Sequence, residues 1–509
     1  MEITLAANRV DCYERIGKGA MVSEETAECV VSDLLPDIAG ILDADGWIAL
    51  QTKSADLGKI SVTAAITATV LYQPDDGSPI RRLSLNIPYS AAFEMPEADD
   101  QCIPIVQLEI ESVDARILNP RKVLVRVGIR SSAECYRSGV LELPHAVPED
   151  TPGSIRTLDA SCDFTRVTGV REKTFVISDE SQVPVALPPI GEVLKSRIEA
   201  MVEDVKPIGN KLVFKGNVHT TILYAAMDGG EPCVYDCTTA FSQIIEMDVI
   251  TEYPLADISL MSTAAYTELL DNAGDRRRIG LELHFVAQVV CREAAQLNYI
   301  EDAYDPGHIL SLQTETRQFH TCLRQITLRE SVRELVETQT SVQEVLHVYA
   351  IPGTVAIENG VASCPLNVQM LYRNESGAVC RIGARYTVQS SQELEEDAGL
   401  LIRSVHCGEA YAAPAAGGIE LRVPVELFGE VFLERTVTAV TEISFDETQT
   451  EEEQQTRPSL YLLYPDASDT VWKLAKRYGS TPELIRVANE MEEEEEPGET
   501  LLLIPRASI

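Results

Sequence analysis

The sequence has little positive charge and few side chains suited to imidazole chemistry. Of its 509 residues, 42 are Lys or Arg and 80 are Asp or Glu, so the formal net charge is −38. A surface this acidic repels phosphate backbones and anionic headgroups, which argues against nucleic-acid binding and against a basic membrane-binding patch. Trp occurs twice and His seven times, so acid–base and metal chemistry have few candidate residues.

Long apolar runs and an export signal are also lacking. No run of about 18 apolar residues occurs, so we expect no transmembrane segment. The first ten residues have no basic region followed by an apolar stretch. The twelve cysteines are scattered singly, unlike the dense pattern of small disulfide-rich domains. We therefore expect reduced thiols and a cytoplasmic protein.

Sequence motifs with known chemistry are missing as well. The chain has no phosphate-binding Gly-x-x-x-x-Gly-Lys-Ser/Thr loop, no Gly-x-Ser-x-Gly and no His-Glu-x-x-His. Cys233 and Cys237 lie near His219, but no second close ligand pair follows, which favours buried thiols over a zinc site. Arg276–Arg278 is interpreted as an exposed hairpin tip. We predict a protein that is not an enzyme and that has no cofactor and no metal.

One pattern repeats along the chain at a spacing of 152 residues. It begins with an aliphatic segment, at Ile38–Leu42, Ile190–Leu194 and Val342–Leu346. A segment that ends in Leu-Tyr follows each time, and a glycine lies five residues beyond the Tyr, at Gly77, Gly229 and Gly377. Agreement at three places indicates an internal repeat.

The residues within each repeat are typical of β-strands. Apolar side chains alternate with polar ones, as in Val123, Val125, Val127 and Ile129. This is the pattern of a strand with one buried face. The repeated glycine suits a hairpin turn. The three aliphatic segments at the start of the repeat are predicted instead to be short helices, because Pro36 and Pro188 stand where a helix would begin.

Residues 460–506 follow a different pattern. Leu460–Leu463 is a predicted strand. Ser468–Thr470 precedes a predicted helix whose apolar residues follow the spacing i, i+3, i+4, i+7. Thr481 and Pro482 begin a second predicted helix, since a capping residue is followed by a proline at the first helical position. Leu501–Ile504 completes the order βααβ.

The predicted fold class is therefore mainly β, with three tandem β-sandwich-like repeats followed by a small α/β (βααβ) unit. The predicted units are residues 1–142, 161–300, 315–445 and 460–506. The predicted linkers are residues 143–160 and the acidic residues 446–459. Because this acidic linker lacks apolar side chains that could dock it on the third unit, the last unit is predicted to be separable.

The last unit resembles a LysM domain. The family pattern Gly-Asp-Thr-Leu-Trp-x-Ile-Ala-x-x-Tyr-Gly corresponds to residues 468–479, with a serine in place of the first glycine, and the closing Pro-Gly-x-x-Leu-x-Ile-Pro corresponds to residues 497–505. LysM domains receive ligands between the loop before the first helix and the loop before the last strand. The resemblance thus implies a ligand- or partner-binding site at Asp466, Ser468, Asp469, Thr470, Trp472, Asn489 and Glu492.

Two features of this site bear on what it binds. Trp472 lies off the apolar stripe of its helix, so core packing and a contact role both remain open. The run Glu492–Glu496 places negative charge beside the site, which disfavours a neutral or anionic glycan and favours a basic protein face.

The three larger units resemble the SPOCS domain of endospore-forming bacteria, in which a Pro-x-Ile-x-x-Ile-Leu helix precedes a strand ending in Leu-Tyr. Three such units followed by one LysM domain resemble the layout of a spore-coat morphogenesis family. This layout implies a structural adaptor in coat and cortex assembly, on the mother-cell side of the forespore surface. Its LysM domain would bind the morphogenetic ATPase of the coat basement layer or another coat protein. The alternative is a protein whose LysM domain binds peptidoglycan or a related glycan.

Overall fold

Antiparallel strands build nearly the whole chain. The computed structural model describes residues 2–151, 153–227, 232–248, 254–270, 274–445, 458–498 and 500–507. Strands account for 75% of the residues and helices for 3%, so the prediction of a mainly β fold is confirmed. Gly229 and residues 446–457 of the acidic linker lie outside the described residues.

The strands fall into three successive groups. The first group follows the short strand β1 (Glu2–Ile3) and comprises β2 (Ala6–Val30), β3 (Ile38–Asp56), β4 (Lys59–Pro74), β5 (Arg81–Glu94), β6 (Ile103–Asn119) and β7 (Lys122–Ala146). The second comprises β8 (Arg156–Gln182), β9 (Ile190–Ile208), β10 (Lys211–Ala226), β11 (Pro232–Glu246), β12 (Leu255–Leu270) and β13 (Arg278–Tyr304). The third comprises β14 (Leu310–Glu337), β15 (Val342–Pro352), β16 (Ala356–Glu358), β17 (Val361–Asn374), β18 (Val379–Ser391), β19 (Ala398–Cys407), β20 (Tyr411–Ala415) and β21 (Gly418–Phe445). The chain ends with β22 (Leu460–Leu463), α1 (Val471–Tyr478), α2 (Pro482–Asn489) and β23 (Leu502–Pro505).

The same strand pairing occurs in each of the three groups, which we call units one, two and three. In unit one, β3, β4 and β5 form one sheet, whereas β2, β7 and β6 form the other. The corresponding sheets are β9-β10-β11 and β8-β13-β12 in unit two, and β15-β17-β18 and β14-β21-β19 in unit three. Side chains of both sheets share one buried cluster, as Ile66 and Val125 do in unit one. Each unit is thus a two-layer β-sandwich.

The units share sheets and cores. Strands β2 and β8 meet at Tyr13 and Val167, so that six strands of units one and two form one continuous sheet. Long strands of all three units also enclose a common apolar cluster, which includes Leu143, Phe164, Leu297, Phe319 and Val437. The strands extend well into the predicted linkers, because β7 continues to residue 146 and β8 starts at residue 156. The three units therefore pack as one body.

The three segments predicted to be short helices are strands, so that prediction is wrong. Ile38–Leu42, Ile190–Leu194 and Val342–Leu346 form the beginnings of β3, β9 and β15. Each of these strands carries β-bulges at the same two positions of the repeat, and β3 and β9 carry a third one further along. A bulge inserts one extra residue and interrupts the period-two pattern of a strand. Apolar residues then fall three and four positions apart, which mimics the spacing of a helix.

The second bulge of each strand contains the repeated leucine. The ladder pairs the residues on both sides of this leucine and skips the leucine itself. Because a bulge redirects a side chain, the three leucines can point to a common place. They join the leucines of the Leu-Tyr pairs in one buried cluster that contains Leu42, Leu194, Leu346, Leu71, Leu223 and Leu371. We call these leucines and the polar residues that follow them in β3, β9 and β15 the central junction.

Charged groups are buried at the central junction. The Lys195 ammonium lies 2.9 Å from a carboxylate oxygen of Asp43 and 2.7 Å from one of Asp45. The exposed fraction is only 5% for Lys195 and 1% for Asp43. Arg197 lies 3.4 Å from Asp45. Both cations also lie over the ring of Tyr349, at 4.3 and 4.5 Å from its centroid, a favourable placement for a cation.

Unit one supplies the acids of this network, unit two the bases and unit three the aromatic ring. Burial opposes the ionisation of Asp45, but the charges of Lys195 and Arg197 outweigh it and hold the pKa of Asp45 well below its ordinary value. The carboxylate is therefore stabilised across the boundary between units one and two.

Replacing Lys195 with Met tests how far the body depends on this network. The substitution leaves two buried carboxylates without their ammonium, which should lower the free energy of unfolding by about 3–5 kcal/mol. The matched control is Lys206→Met, which removes an exposed ammonium paired with Asp204 and should cost less than about 1 kcal/mol. Denaturant unfolding of the full chain measures both. Equal losses would contradict the prediction, and adding Asp43→Asn and Asp45→Asn to Lys195→Met should restore stability.

Candidate functional site

The predicted site lies in the last unit, which we call the tail. Strands β22 and β23 pair antiparallel, and α1 and α2 pack on one face of this two-stranded sheet around Leu474 and Ile485. The helices begin where the sequence predicts, because the side chains of Thr470 and Thr481 accept hydrogen bonds from backbone N–H groups of the first turns. The order strand-helix-helix-strand agrees with the sequence analysis.

Two of the predicted site residues stabilise the loop before α1. Thr470 is the N-cap of α1, and its side chain accepts the N–H of Lys473 at 3.2 Å. Asp469 is buried; its carboxylate accepts the N–H of Asp466 at 3.1 Å and forms an ion pair with Arg477 at 3.0 Å. These contacts are internal to the tail, so both residues fix the shape of the loop.

Asn489 connects α2 to the last strand. Its side-chain amide donates to the carbonyl oxygens of Ile485 and Leu503, both at 2.7 Å, and its oxygen accepts the N–H of Leu503 at 2.8 Å. Three hydrogen bonds of this kind satisfy most of what an amide side chain can make. Asn489 lies in the predicted ligand-binding loop, but its side chain makes these hydrogen bonds within the tail.

Trp472 contacts the body of the protein. Its indole N–H donates to a carboxylate oxygen of Asp302 at 2.9 Å, and its ring meets that of Tyr304 edge-on, with the centroids 4.9 Å apart. The second carboxylate oxygen of Asp302 accepts from Lys476, one turn further along α1, at 2.5 Å. Of the two roles left open for Trp472, the structure shows packing.

The tail is docked at the connection between units two and three. The hydroxyl of Tyr304 donates to the backbone carbonyl of Ser480 at 3.0 Å. Gly479 has the left-handed φ of 65°, and a Cβ there would lie 2.9 Å from the carbonyl oxygen of Pro306, so this approach requires glycine. The prediction of a separable tail took only the acidic linker into account. The docking residues come from the end of β13 and the loop after it.

Three of the predicted site residues remain at the surface, namely Asp466, Ser468 and Glu492. The glutamate run beside them is divided between two roles. Glu496 accepts the N–H of Val471 at 2.7 Å and so caps α1, although it is exposed, as Glu493 and Glu494 are. The accessible part of the predicted site is therefore acidic.

A second polar site lies between units two and three, beside the central junction. It is a cavity of about 190 Å³, lined by Arg197, Glu199, His219, Asp236, His347 and Glu409 among others. The carboxylate of Asp236, 3.6 Å from Nε2 of His219, raises the pKa of His219, and the same contact lowers the pKa of Asp236. Asp236 lies across the strand pair β10–β11 from His219, so no spacing along the sequence indicates that the two residues are partners.

His347 is the buried histidine of this cavity. Burial lowers its pKa to about 3, and the neighbouring charge of Lys195 acts in the same direction. Its Nδ1 atom has no hydrogen-bond partner. The imidazole is thus neutral. Its ring packs against that of Tyr349, with the centroids 5.3 Å apart.

Metal ligation finds no support among the described residues, where no group of three His, Cys, Asp or Glu side chains is arranged to hold an ion. Cys233 and Cys237 are half-buried on β11, opposite Tyr224 and Thr220. All twelve cysteines lie in the described part of the chain, and no disulfide joins any two of them.

The interpretation of Arg276–Arg278 as an exposed hairpin tip is wrong for two of its residues. Arg276 donates to the carbonyl oxygens of Ile190 and Gly191 at 2.8 and 2.6 Å. Arg277 donates to that of Leu187 at 2.6 Å. Both guanidinium groups satisfy backbone carbonyls where the chain enters β9, which no local sequence pattern indicates.

The sequence analysis missed the polar residues of the central junction. A signal was present, because Asp43, Lys195 and His347 directly follow the repeated leucine at the same spacing of 152 residues. The three residue types differ, so a search for identical residues passes over them. Complementary charges at equivalent positions of the repeat indicate the contact between the units.

We expect His347 to make the protein sensitive to acid. The unfolded chain binds a proton at His347 below about pH 6.5, whereas the folded chain does so only near pH 3. Its contribution is therefore fully present above pH 6.5 and is lost as the pH falls towards 3, by at most about 1.4 kcal/mol per pH unit. His347→Phe should flatten the loss of stability between pH 6 and pH 4 in denaturant titrations. The control His284→Phe, at a half-exposed ring paired with Glu282, should leave the profile unchanged; equal profiles for all three proteins would contradict the assignment.

The docking of the tail can be measured through Trp472. In a Trp47→Phe background Trp472 is the only tryptophan, and Asp302→Ala removes the acceptor of its indole N–H and of Lys476. Loss of hydrogen bonds to a charged group costs about 1.5–3 kcal/mol each, so the emission should shift to the red and the amides of α1 should exchange faster. Glu301→Ala, which removes the neighbouring exposed carboxylate of the same strand, is the control. An unchanged emission in Asp302→Ala would show that the tail is not held there.

Membrane insertion by a helix is not indicated for the part of the chain that the structure describes, since neither helix there is long and apolar enough to span a bilayer.

Comparison with known proteins gives a match in the first two units. Residues 37–118 and 189–261 match the family described as "SipL, SPOCS domain". The first range takes in β3 to β6 and the second β9 to the middle of β12, so both contain a bulged leucine of the central junction. No curated protein and no solved structure matches the chain. Units one and two are thus each similar to the SPOCS domain of the SipL family.

Proposed function

We propose that the protein is a non-enzymatic structural adaptor in the assembly of the endospore coat and cortex. The observation that carries the proposal is the SipL-type SPOCS match in two separate units, which supports a sporulation-related protein. The same strand pairing in unit three and the LysM-like tail extend the likeness to the layout of SipL, a spore-coat morphogenesis protein. The proposed location is the cytoplasm of the mother cell, at the forespore surface.

The proposed task of the tail is to bind a morphogenetic protein, either the ATPase that forms the coat basement layer or another coat protein. The body that carries the tail is rigidly cross-connected, with shared sheets and a buried ionic junction. A docked tail on such a body holds a captured partner at a defined position. This is the physical requirement for an adaptor that organises a protein layer.

Binding of peptidoglycan is the second candidate, and the LysM-like sequence favours it. Two observations count against it. Trp472, Asn489 and Asp469 make internal contacts. The accessible loop residues Glu493 and Glu494 add negative charge. A neutral or anionic glycan gains nothing from this charge, whereas a basic protein face is attracted to it.

The two candidates are separated by presenting the full chain with immobilised murein and with the purified basement-layer ATPase, each at low and high salt. We expect capture by the ATPase, with an association rate that falls as the salt concentration rises. The variant Glu492→Gln/Glu493→Gln/Glu494→Gln should slow association further without loosening α1, because it spares the capping Glu496. The control Glu94→Gln/Glu97→Gln/Asp100→Asn removes as many exposed charges from unit one and should have little effect. Murein binding that is equally tight at both salt concentrations, without binding of the ATPase, would favour the peptidoglycan candidate.

A further inference from the structure

We propose that the outer face of the β22–β23 sheet is a protein-docking surface, and that its partner presents an apolar patch bordered by basic side chains. This surface, which we call the outer tail face, consists of Leu460, Leu462, Tyr464, Leu501 and Leu503. The proposal rests on the proposed function in so far as the tail carries the partner contact. It assigns that contact to a face outside the LysM-like loops.

Successive side chains of β22 and β23 point to opposite faces of the sheet, and this alternation defines the outer tail face. Tyr461 and Leu463 belong to the cluster under the helices, so Leu460 and Leu462 between them point to the other side of the sheet. Leu462 stands directly opposite Leu503 of β23. Tyr464 and Leu501 follow the last pair of the ladder and continue the same face.

These side chains are apolar and open to solvent. The exposed fraction is 48% for Leu460, 59% for Leu462, 70% for Tyr464 and 50% for Leu501. Single exposed apolar residues are ordinary on protein surfaces. A contiguous set on two paired strands is different, because a sheet face that remains apolar marks a contact surface.

Two internal covers for the face can be set aside. Residues 446–457, which lead into β22, are Asp, Glu, Thr, Gln and Arg only, so this segment brings no apolar side chain larger than Thr. Among the described residues, the tail contacts the body through Trp472 and Lys476 of α1 and through Ser480 in the turn after it, and none of the five residues of the outer tail face takes part in these contacts. A second copy of the chain is disfavoured because each copy carries a net charge of −38.

The charges around the face indicate which partner fits. Asp466 lies two residues beyond Tyr464 and is exposed. The loop that leads from there to α1 meets the glutamate run, because Glu496 accepts the N–H of Val471 at 2.7 Å, and Glu493 of the same run is exposed. The apolar face is thus bordered by carboxylates at the end where Tyr464 lies, so a partner with Lys or Arg beside its apolar patch gains attraction there.

The outer tail face is too small to form a whole protein interface by itself. A standard interface takes about 800 Å² from each partner, which is more than two four-residue strands offer. The outer tail face is therefore the apolar anchor of a larger contact, in which a few buried side chains carry most of the affinity. Leu462 and Tyr464, the two most exposed residues of the face, are the expected anchors.

The test uses the full chain and the purified basement-layer ATPase as the probe. The variant Leu462→Thr/Tyr464→Thr removes two apolar side chains and retains residue types that favour strands. It should weaken binding by at least about tenfold, which is the loss expected when one or two anchoring side chains are removed. The matched control is Val487→Thr, which removes an apolar side chain with an exposed fraction of 79% from α2 of the same tail and should bind as the unchanged chain does. Unaltered Trp472 emission in each variant shows that the tail is folded and docked.

A second variant tests the acidic border of the outer tail face without changing any residue of the two strands. Asp466→Lys/Glu493→Lys leaves the apolar face intact and should slow association severalfold, with a weaker dependence on salt. Failure of the unchanged chain to bind the ATPase would overturn the ATPase as the partner of the tail, and the present inference with it. Binding by the unchanged chain that Leu462→Thr/Tyr464→Thr leaves intact would overturn the present inference alone. Sedimentation that shows a dimer of the unchanged chain, lost in this variant, would assign the face to a second copy and overturn the inference as well.

Discussion

The Lys195 ammonium, held between the carboxylates of Asp43 and Asp45, is the contact on which the arrangement of the three units depends. Removing these charges from water is costly, and only close pairing compensates for it. Equivalent positions of the repeat carry acids in unit one, bases in unit two and His347 and Tyr349 in unit three. Two copies of unit one would bring carboxylates together, so this distribution favours contacts between unlike units. The charges thereby specify which of the three similar β-sandwiches contact one another.

The tail lies where unit two passes into unit three. Asp302 and Tyr304 stand at the end of β13, where unit two passes into unit three. Their position relative to the rest of the body follows from the packing of these units around the bulged leucines and the common cluster under the long strands. The indole of Trp472 contacts this end of β13 through one hydrogen bond and one ring contact.

Local patterns were sufficient to predict the strands, the caps Thr470 and Thr481 and the order βααβ, because alternation and capping involve residues close in sequence. They failed at Ile38–Leu42 and its two equivalents, since a bulge adds one residue to a strand without changing its composition. For Trp472 they left two roles open, because its partner Asp302 is 170 residues away. The helix pattern shows that Trp472 lies off the inner stripe; it does not show what covers it. Whether a residue of the predicted site faces solvent or the chain itself depends on tertiary contacts, which local patterns do not contain.

The tail separates its two kinds of contact between opposite sides. Helix α1 faces the body through Trp472 and Lys476, whereas the β22 side chains Leu462 and Tyr464 face outward. A partner that took the Trp472 face would have to displace Asp302 and Tyr304, and its affinity would be reduced by the free energy of that docking. A partner on the outer tail face incurs no such loss. It would be bound to a tail that is already fixed on the body, so the loss of freedom on binding is smaller. Under the proposed function, capture and orientation then occur in one step, which suits an adaptor.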